Sequence, residues 1–124
     1  MRVVLALSLM LAAAPLRAEW LKVGETGAAV HYIDTATIRR DGNLRRVWTV
    51  QDMKEADPDG IRSIRALEEY DCAEERFRYL SLTAHSAPMA GGLVIAAHEL
   101  DDDWNGRPPG TNPSAIEKIV CAPI

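Results

Sequence analysis

The sequence predicts an α+β domain in which a single antiparallel sheet of about six strands carries a C-terminal helix, tethered to one face by a disulfide. Three observations predict it. Runs with strand-like alternation are joined by short turn signals, which is typical of antiparallel pairing. A helix-start signal follows the last run, near the C-terminus. The two cysteines, Cys72 and Cys121, end one strand-like run and the helical segment.

The first eighteen residues have the pattern of a signal peptide. A short basic start, Met1-Arg2, precedes an apolar run over residues 3–14, which is too short to span a bilayer comfortably. We expect cleavage after Ala18, so that residues 1–18 are removed and residues 19–124 form the domain. The alternative is an apolar segment retained as an anchor. No cysteine lies near the cleavage site, so a lipid-modified N-terminus is not predicted.

The expected mature chain is acidic. Removal of Arg2 and Arg17 leaves 12 basic and 18 acidic residues, a net charge of about −6. Non-specific nucleic-acid binding needs a basic footprint, so this composition argues against a nucleic-acid partner. No later apolar run is long enough for a membrane helix, so no membrane span is expected after signal cleavage.

The first half of the domain predicts three strands. Residues 20–23 form a short strand before a Gly-Glu-Thr-Gly turn, and residues 28–33 form the second. An Asp-Gly pair at 41–42 favours a hairpin, because these residues tolerate positive φ. The third strand covers residues 44–52. One of its faces carries Leu44, Arg46, Trp48 and Val50.

The second half predicts three more strands and the helix. After a turn at residues 57–60, a fourth strand runs over 61–72. Residues 64–70 also fit a helical period, but the short link at 73–75 and the alternating partner at 76–85 favour a hairpin. On that partner, one face is predicted to carry Arg78, Leu80, Leu82 and Ala84.

A Pro- and Gly-containing turn at residues 88–92 leads to the sixth strand, residues 93–100. A polar loop over residues 101–111 then precedes the helix. Asn112 can cap that helix and Pro113 fits its first turn. The apolar residues that follow at helical spacing are Ile116, Ile119 and Val120.

The cysteines are interpreted as a tether between this helix and the sheet. By alternation, Cys72 shares a strand face with Ala66 and Tyr70, and Glu68 interrupts that face. In an exported protein, Cys72 and Cys121 are expected to form a disulfide. The alternatives are two free thiols, one of them reactive, and pairing between chains.

No pattern of catalytic or cofactor-binding residues emerges, so we predict a protein that is not an enzyme and needs no cofactor or metal. His31, His85 and His98 lie on separate predicted strands without zinc-site spacing. Asp101–Asp103 offer oxygen ligands but lack the pattern of an EF-hand loop. Neither a Gly-x-Ser-x-Gly turn nor a phosphate-binding glycine loop is present. A pair of carboxylates of the kind that glycosidases use is the remaining enzymatic alternative.

Arginines provide the most specific lead to a binding site. The predicted basic patch flanks two turns and consists of Arg39, Arg40, Arg45, Arg46, Arg76 and Arg78. Such a patch on an acidic protein can bind an acidic partner or a sulfated glycan. The alternative is that these arginines pair across strands with Glu68, Glu69, Glu74 and Glu75.

An ordered set of residues across the domain resembles the bacterial surface-adhesin E family, also called the protein E-like domain. The set comprises Trp20, Tyr32-Ile33-Asp34, Gly42, Val47-Trp48, Tyr70-Asp71-Cys72, Arg76, Arg78, Met89, Gly91-Gly92, Trp104, Pro109-Gly110-Thr111 and Cys121. The resemblance implies a sheet of about six strands with a disulfide-tethered C-terminal helix. It also implies export to the periplasm or cell surface.

The resemblance further implies a binding module for a host extracellular-matrix or serum protein. An envelope protein is the alternative protein partner. The alternative is a soluble periplasmic small-molecule-binding or envelope accessory protein. The two readings differ in the feature they require. A displayed binding module needs an exposed apolar or basic patch, whereas a small-molecule binder needs a closed pocket between sheet and helix.

Overall fold

One antiparallel sheet forms most of the domain in the computed structural model, which describes residues 18–123. Six strands lie in the order β1-β2-β4-β5-β6-β7, while β3 pairs with β4 and β8 with β6. The strands are β1 (Trp20–Glu25), β2 (Ala29–Asp34), β3 (Arg39–Asp41), β4 (Leu44–Met53), β5 (Ser63–Asp71), β6 (Arg76–Ala87), β7 (Gly91–Glu99) and β8 (Asn105–Gly106). A short 3-10 helix covers Thr35–Thr37, and the helix α1 covers Asn112–Val120.

The prediction of an antiparallel sheet with a C-terminal helix is confirmed, but the strand count of about six was too low. The two missed strands are β3 and β8, which have three and two residues. Segments this short cannot display an alternating pattern, so the sequence marks them as turn and loop. Because sheet dominates and α1 has nine residues, the α+β description holds only in outline.

A β-bulge on β6 overturns one prediction about strand faces. Glu68 pairs with Tyr79 and Leu67 with Ser81, so Leu80 has no partner on β5. An extra residue of this kind reverses the alternation beyond it. Arg78 pairs with Glu69, whereas Leu82 pairs with Ala66 on the opposite face of the sheet. Arg78 and Leu82 therefore do not share a face, contrary to the prediction.

The N-cap of the helix lies one residue before the predicted cap. Thr111 is the N-cap, and its hydroxyl accepts a hydrogen bond from the Ser114 amide at 3.4 Å. Asn112, predicted as the cap, is the first helical residue, and Pro113 lies in the first turn as predicted. Threonine can take the place of asparagine here because each provides a side-chain oxygen that accepts from a free helix-terminal amide.

The hydrophobic core lies between α1 and one face of the sheet. The buried cluster contains Ile33, Val47, Tyr70 and Phe77 from the strands and Ile116 and Val120 from the helix. Cys72 and Cys121 form the predicted disulfide, with Cα atoms 5.7 Å apart. The tether therefore joins the C-terminal end of the helix to the sheet beside this core.

The predicted signal peptide lies outside the described residues, except for Ala18. Within residues 18–123, no helix is long and apolar enough to cross a membrane.

Candidate functional site

The helix covers one face of the sheet, and we call the opposite side the open face. Side chains alternate along a strand, and direct cross-strand partners share a face. Tyr70 and Phe77 contact the helix, so their neighbours Glu69 and Arg78 lie on the open face. The strand register then assigns the remaining residues of β2 and β4–β6 to one face or the other.

A row of charged residues crosses the open face. Arg46 on β4, Glu69 on β5 and Arg78 on β6 are direct cross-strand partners. Arg46 Nε donates to Glu69 Oε2 at 2.8 Å, and Arg78 Nε donates to Glu69 Oε1 at 2.9 Å. One carboxylate thus binds two guanidinium groups, and the row carries a net positive charge.

Exposure differs sharply within this row. The Glu69 side chain is only 1% exposed, whereas Arg46 is 54% and Arg78 is 29% exposed. The acid is therefore hidden beneath the two arginines that it holds in place. Charge-assisted hydrogen bonds of this kind are shorter and stronger than neutral ones, which orients the guanidinium planes. The groups of this row that face solvent are therefore the two guanidinium cations.

Trp104 extends the row beyond Arg78. The guanidinium carbons of Arg76 and Arg78 lie 4.5 and 4.4 Å from the centre of its ring. The tryptophan comes from the loop that contains β8, and β8 pairs with the start of β6. Arg76 is also held by Asp71, whose Oδ2 accepts from Arg76 Nε at 3.1 Å. Cation–π contacts thus join a loop residue to the arginines of the sheet.

The other two tryptophans lie on the same face. Trp48 is on β4, two residues from Arg46, and Arg65 stacks on its ring at 3.6 Å from the ring centre. Trp20 pairs with Asp34 on the side of β2 that also carries Tyr32. All three tryptophans of the chain are half-buried there, while Tyr70, Phe77 and Tyr79 lie on the helix side. The open face therefore combines arginine with aromatic rings.

The predicted basic patch is divided between the two faces. Arg46, Arg76 and Arg78 lie together on the open face, and the exposed Arg39 pairs with Arg46. Arg40 and Arg45 lie on the helix side. Arg45 pairs with Tyr70 in the strand register, and Arg40 donates to the carbonyl of Ala122 at 3.5 Å. Four of the six arginines thus belong to one surface.

The predicted cross-strand pairing with acids is found for one of the four glutamates. Glu69 pairs with two of the arginines, whereas Glu75 pairs with Arg107. Asp71, which was not among the predicted acids, pairs with Arg76. Burial acts to raise the pKa of Asp71, but hydrogen bonds from the Glu74 amide and Arg76 outweigh it, and the pKa is lowered.

Sequence reasoning missed Trp48, Arg65 and Trp104 as parts of this surface. Alternation had placed Trp48 beside Arg46, so a signal existed for that residue. Arg65 could have been found from the same alternation once the pairing of β4 with β5 was known. Trp104 lies in a loop with no periodic pattern, and its position depends on β8. No signal in the sequence places it over the arginines.

The helix side contains a second feature, a cavity of about 270 Å³ between the sheet and the start of α1. Its lining residues are His31, Tyr32, Thr49, Val50, Gln51, Ile64, Ala66, Glu68, Tyr79, Leu82, Asn112, Pro113 and Ile116. Glu68 is buried there, and its Oε1 accepts from the Tyr70 hydroxyl at 3.0 Å. Burial raises the pKa of Glu68, with the Thr49 and Tyr70 hydroxyls acting in the opposite direction.

The three histidines do not converge. His31 and His98 lie on the helix side but on β2 and β7, with three strands between them. His85 lies on the open face, where the Thr83 hydroxyl is 2.8 Å from its Nε2. Burial, assisted by the charge of Arg65, lowers the pKa of His85. In residues 18–123, no group of three His, Cys, Asp or Glu side chains is placed to hold a metal ion.

These features define a class of small disulfide-tied domains in which one helix closes one face of an antiparallel sheet. The other face stays open for contacts. A model of the family described as surface-adhesin protein E matches residues 20–122. The chain therefore belongs to the surface-adhesin protein E family, and the resemblance found in its sequence is confirmed.

Solved structures of protein E from Haemophilus influenzae share the fold. Crystal form II of that protein has a TM-score of 0.69 at 17% identity, covering 86% of this chain and 89% of that one. Protein E from a non-typeable strain has a TM-score of 0.66 at 17% identity, covering 87% and 78%. Among curated protein sequences, none matches. At this identity the similarity establishes the common fold.

Proposed function

We propose that this protein is an exported, non-enzymatic binding module of the adhesin type, and that its open face binds an acidic segment of a partner protein. The observation that carries the proposal is the row in which two partly exposed arginines share one buried carboxylate beside Trp104. Family membership supports the adhesin role. The disulfide supports a site of action outside the cytoplasm, in the periplasm or at the cell surface.

The composition of the open face suits a protein partner. Arginine, tryptophan and tyrosine are the residues that most often dominate binding energy at protein interfaces. Arg46 and Arg78 are already oriented by Glu69, so less side-chain freedom is lost when they bind a carboxylate. Matrix and serum proteins of a host are the first partners to test, and an envelope protein is the next.

Net charge favours a short acidic segment over a densely charged polyanion such as a sulfated glycan. The full chain has a net charge of −4, and the expected mature domain about −6. A long polyanion would extend past the open face onto acidic surface and be repelled there. A segment with a few carboxylates next to apolar residues would meet only the arginines and the tryptophan rings.

The test is binding of the mature protein to immobilised matrix and serum proteins, with Arg46→Gln as the variant. This change removes an exposed cation but leaves Arg78 bound to Glu69, so the sheet is expected to stay folded. The matched control is Arg40→Gln, which removes the same charge from the helix side. We expect Arg46→Gln to weaken binding about tenfold, within the range of interface hot spots, and Arg40→Gln to have little effect.

Two results would overturn the proposal. If the wild-type protein bound none of the matrix, serum and envelope proteins presented to it, the adhesin role would be wrong. Equal affinities of the Arg46→Gln and Arg40→Gln variants would show that binding occurs elsewhere on the molecule. Melting curves of both variants check that any loss of binding is not a loss of folding.

A further inference from the structure

The cavity on the helix side has the features of a ligand site that is separate from the open face. Its fully buried end is lined by Thr49, Ala66, Glu68 and Ile116. Half-buried residues such as His31 and Asn112 line the rest, so the cavity opens toward solvent beside the start of α1. Its volume of about 270 Å³ equals that of roughly nine water molecules in the liquid. A small organic molecule fits this space.

The two adjacent acids of β5, Glu68 and Glu69, lie on opposite faces of the sheet and have different partners. Glu69 is buried on the open face and is bound by Arg46 and Arg78. Glu68 is equally deep, at 4% exposed, but no cation of the described chain, residues 18–123, forms an ion pair with it. Its Oε1 accepts a hydrogen bond from the neutral Tyr70 hydroxyl. An isolated buried carboxyl is costly, and an apolar residue would pack more favourably against the core.

We propose that the cavity binds a small organic amine, whose ammonium group pairs with the Glu68 carboxylate while its carbon chain lies against Ile64, Leu82 and Ile116. These three residues supply the apolar wall. His31, which β2 contributes to the lining, has its pKa lowered by burial, so it stays neutral and does not repel a cation. Burial chiefly raises the pKa of Tyr79, contributed by β6, to about 12, so this residue is uncharged as well.

Site and ligand are complementary in charge and shape. Glu69 is paired with two arginines, whereas Glu68 has no positive partner in the described part of the chain. The ammonium group of the ligand supplies that partner to Glu68. A buried hydrogen bond between charged groups is stronger than one between neutral groups. An alcohol of the same length would keep the apolar contacts but not the charge pairing. The difference in affinity between the amine and the alcohol therefore measures the contribution of Glu68.

The experiment is a titration of the mature protein with pentylamine and, separately, with 1-pentanol at pH 7. Methyl NMR signals of Ile64 and Ile116 report on the cavity. We expect pentylamine to shift these signals saturably and to bind about 10- to 100-fold more tightly than pentanol. In Glu68→Gln, which keeps size and hydrogen bonding but loses the charge, the two affinities should become similar. The control Glu55→Gln removes an exposed acid and should behave as wild type.

Three outcomes would overturn the proposal. They are equal affinities of the amine and alcohol in the wild-type protein, an amine preference that survives in Glu68→Gln, and no saturable shift with pentylamine. If Glu68→Gln did not fold, Ala66→Leu would serve instead, since it fills the buried end of the cavity and keeps the carboxyl. Retained pentylamine binding in Ala66→Leu would also contradict the site. The open-face proposal is unaffected by any of these results.

Discussion

Removing the disulfide should destabilise the domain by about 4 kcal/mol. Cys72 and Cys121 are separated by 49 positions in sequence, and in the chain-entropy model the closure of a loop of roughly 50 residues restricts the unfolded state by that amount. The free energy of unfolding of a domain is about 5–15 kcal/mol, so the tether supplies a large share. The test variant is Cys72→Ser with Cys121→Ser, which leaves no free thiol to react.

We expect this double variant to melt about 15 to 20 °C below the wild-type protein, because 1 kcal/mol corresponds to roughly 4–5 °C in a domain of about 100 residues. Differential scanning calorimetry measures the shift, and wild-type protein with its disulfide reduced provides an independent comparison. Hydrogen exchange should show α1 as the least protected element of the variant, because Ile116 and Val120 then hold it without a covalent tether. An unchanged melting temperature would refute the reasoning.

Two further predictions concern the adjacent buried acids. Because the pKa of Glu68 is raised above 4.5 in the folded state, its contribution to stability is present at low pH and is lost as pH rises through the raised value. Urea unfolding at pH 5 and pH 8 should therefore show Glu68→Gln gaining stability relative to wild type at pH 8, and an identical difference at both pH values would contradict this. Glu69→Gln should lower the free energy of unfolding by about 2 kcal/mol, because Arg46 and Arg78 then lie adjacent without their shared counter-charge. This loss is smaller than the one expected for a fully buried pair, because both arginines are partly exposed. Urea unfolding beside the exposed-site control Glu55→Gln measures this, and equal stabilities of the two variants would refute it.

Alternation and turn signals were sufficient to predict most of the sheet. The Asp-Gly pair at 41–42 does form a hairpin turn, with Gly42 at φ +57°. The predicted face shared by Ala66, Tyr70 and Cys72 does face the helix, and the disulfide follows from it. These features depend on local periodicity, which the sequence displays directly.

Features that depend on strand register could not be predicted in the same way. The bulge at Leu80 adds one residue without any local signal and reverses the face of Arg78 relative to Leu82. The sequence places six arginines near two turns, and alternation separates Arg45 from Arg46. The pairing of β3 with β4 and of β4 with β5 is needed to place Arg40 and Arg45 on the helix side. Likewise, alternation separates Glu68 from Glu69, but the presence of two arginines beside one and a cavity beside the other is a tertiary property.

The most direct test of the binding role is NMR of the three tryptophan indoles during titration with a synthetic peptide of alternating aspartate and leucine residues. We expect the indole N–H signals of Trp48 and Trp104 to shift together as the peptide occupies the open face, while the methyl signals of Ile116 on the helix side stay in place. Shifts at Ile116 without shifts at Trp48 and Trp104, or no change at any of them, would contradict this expectation.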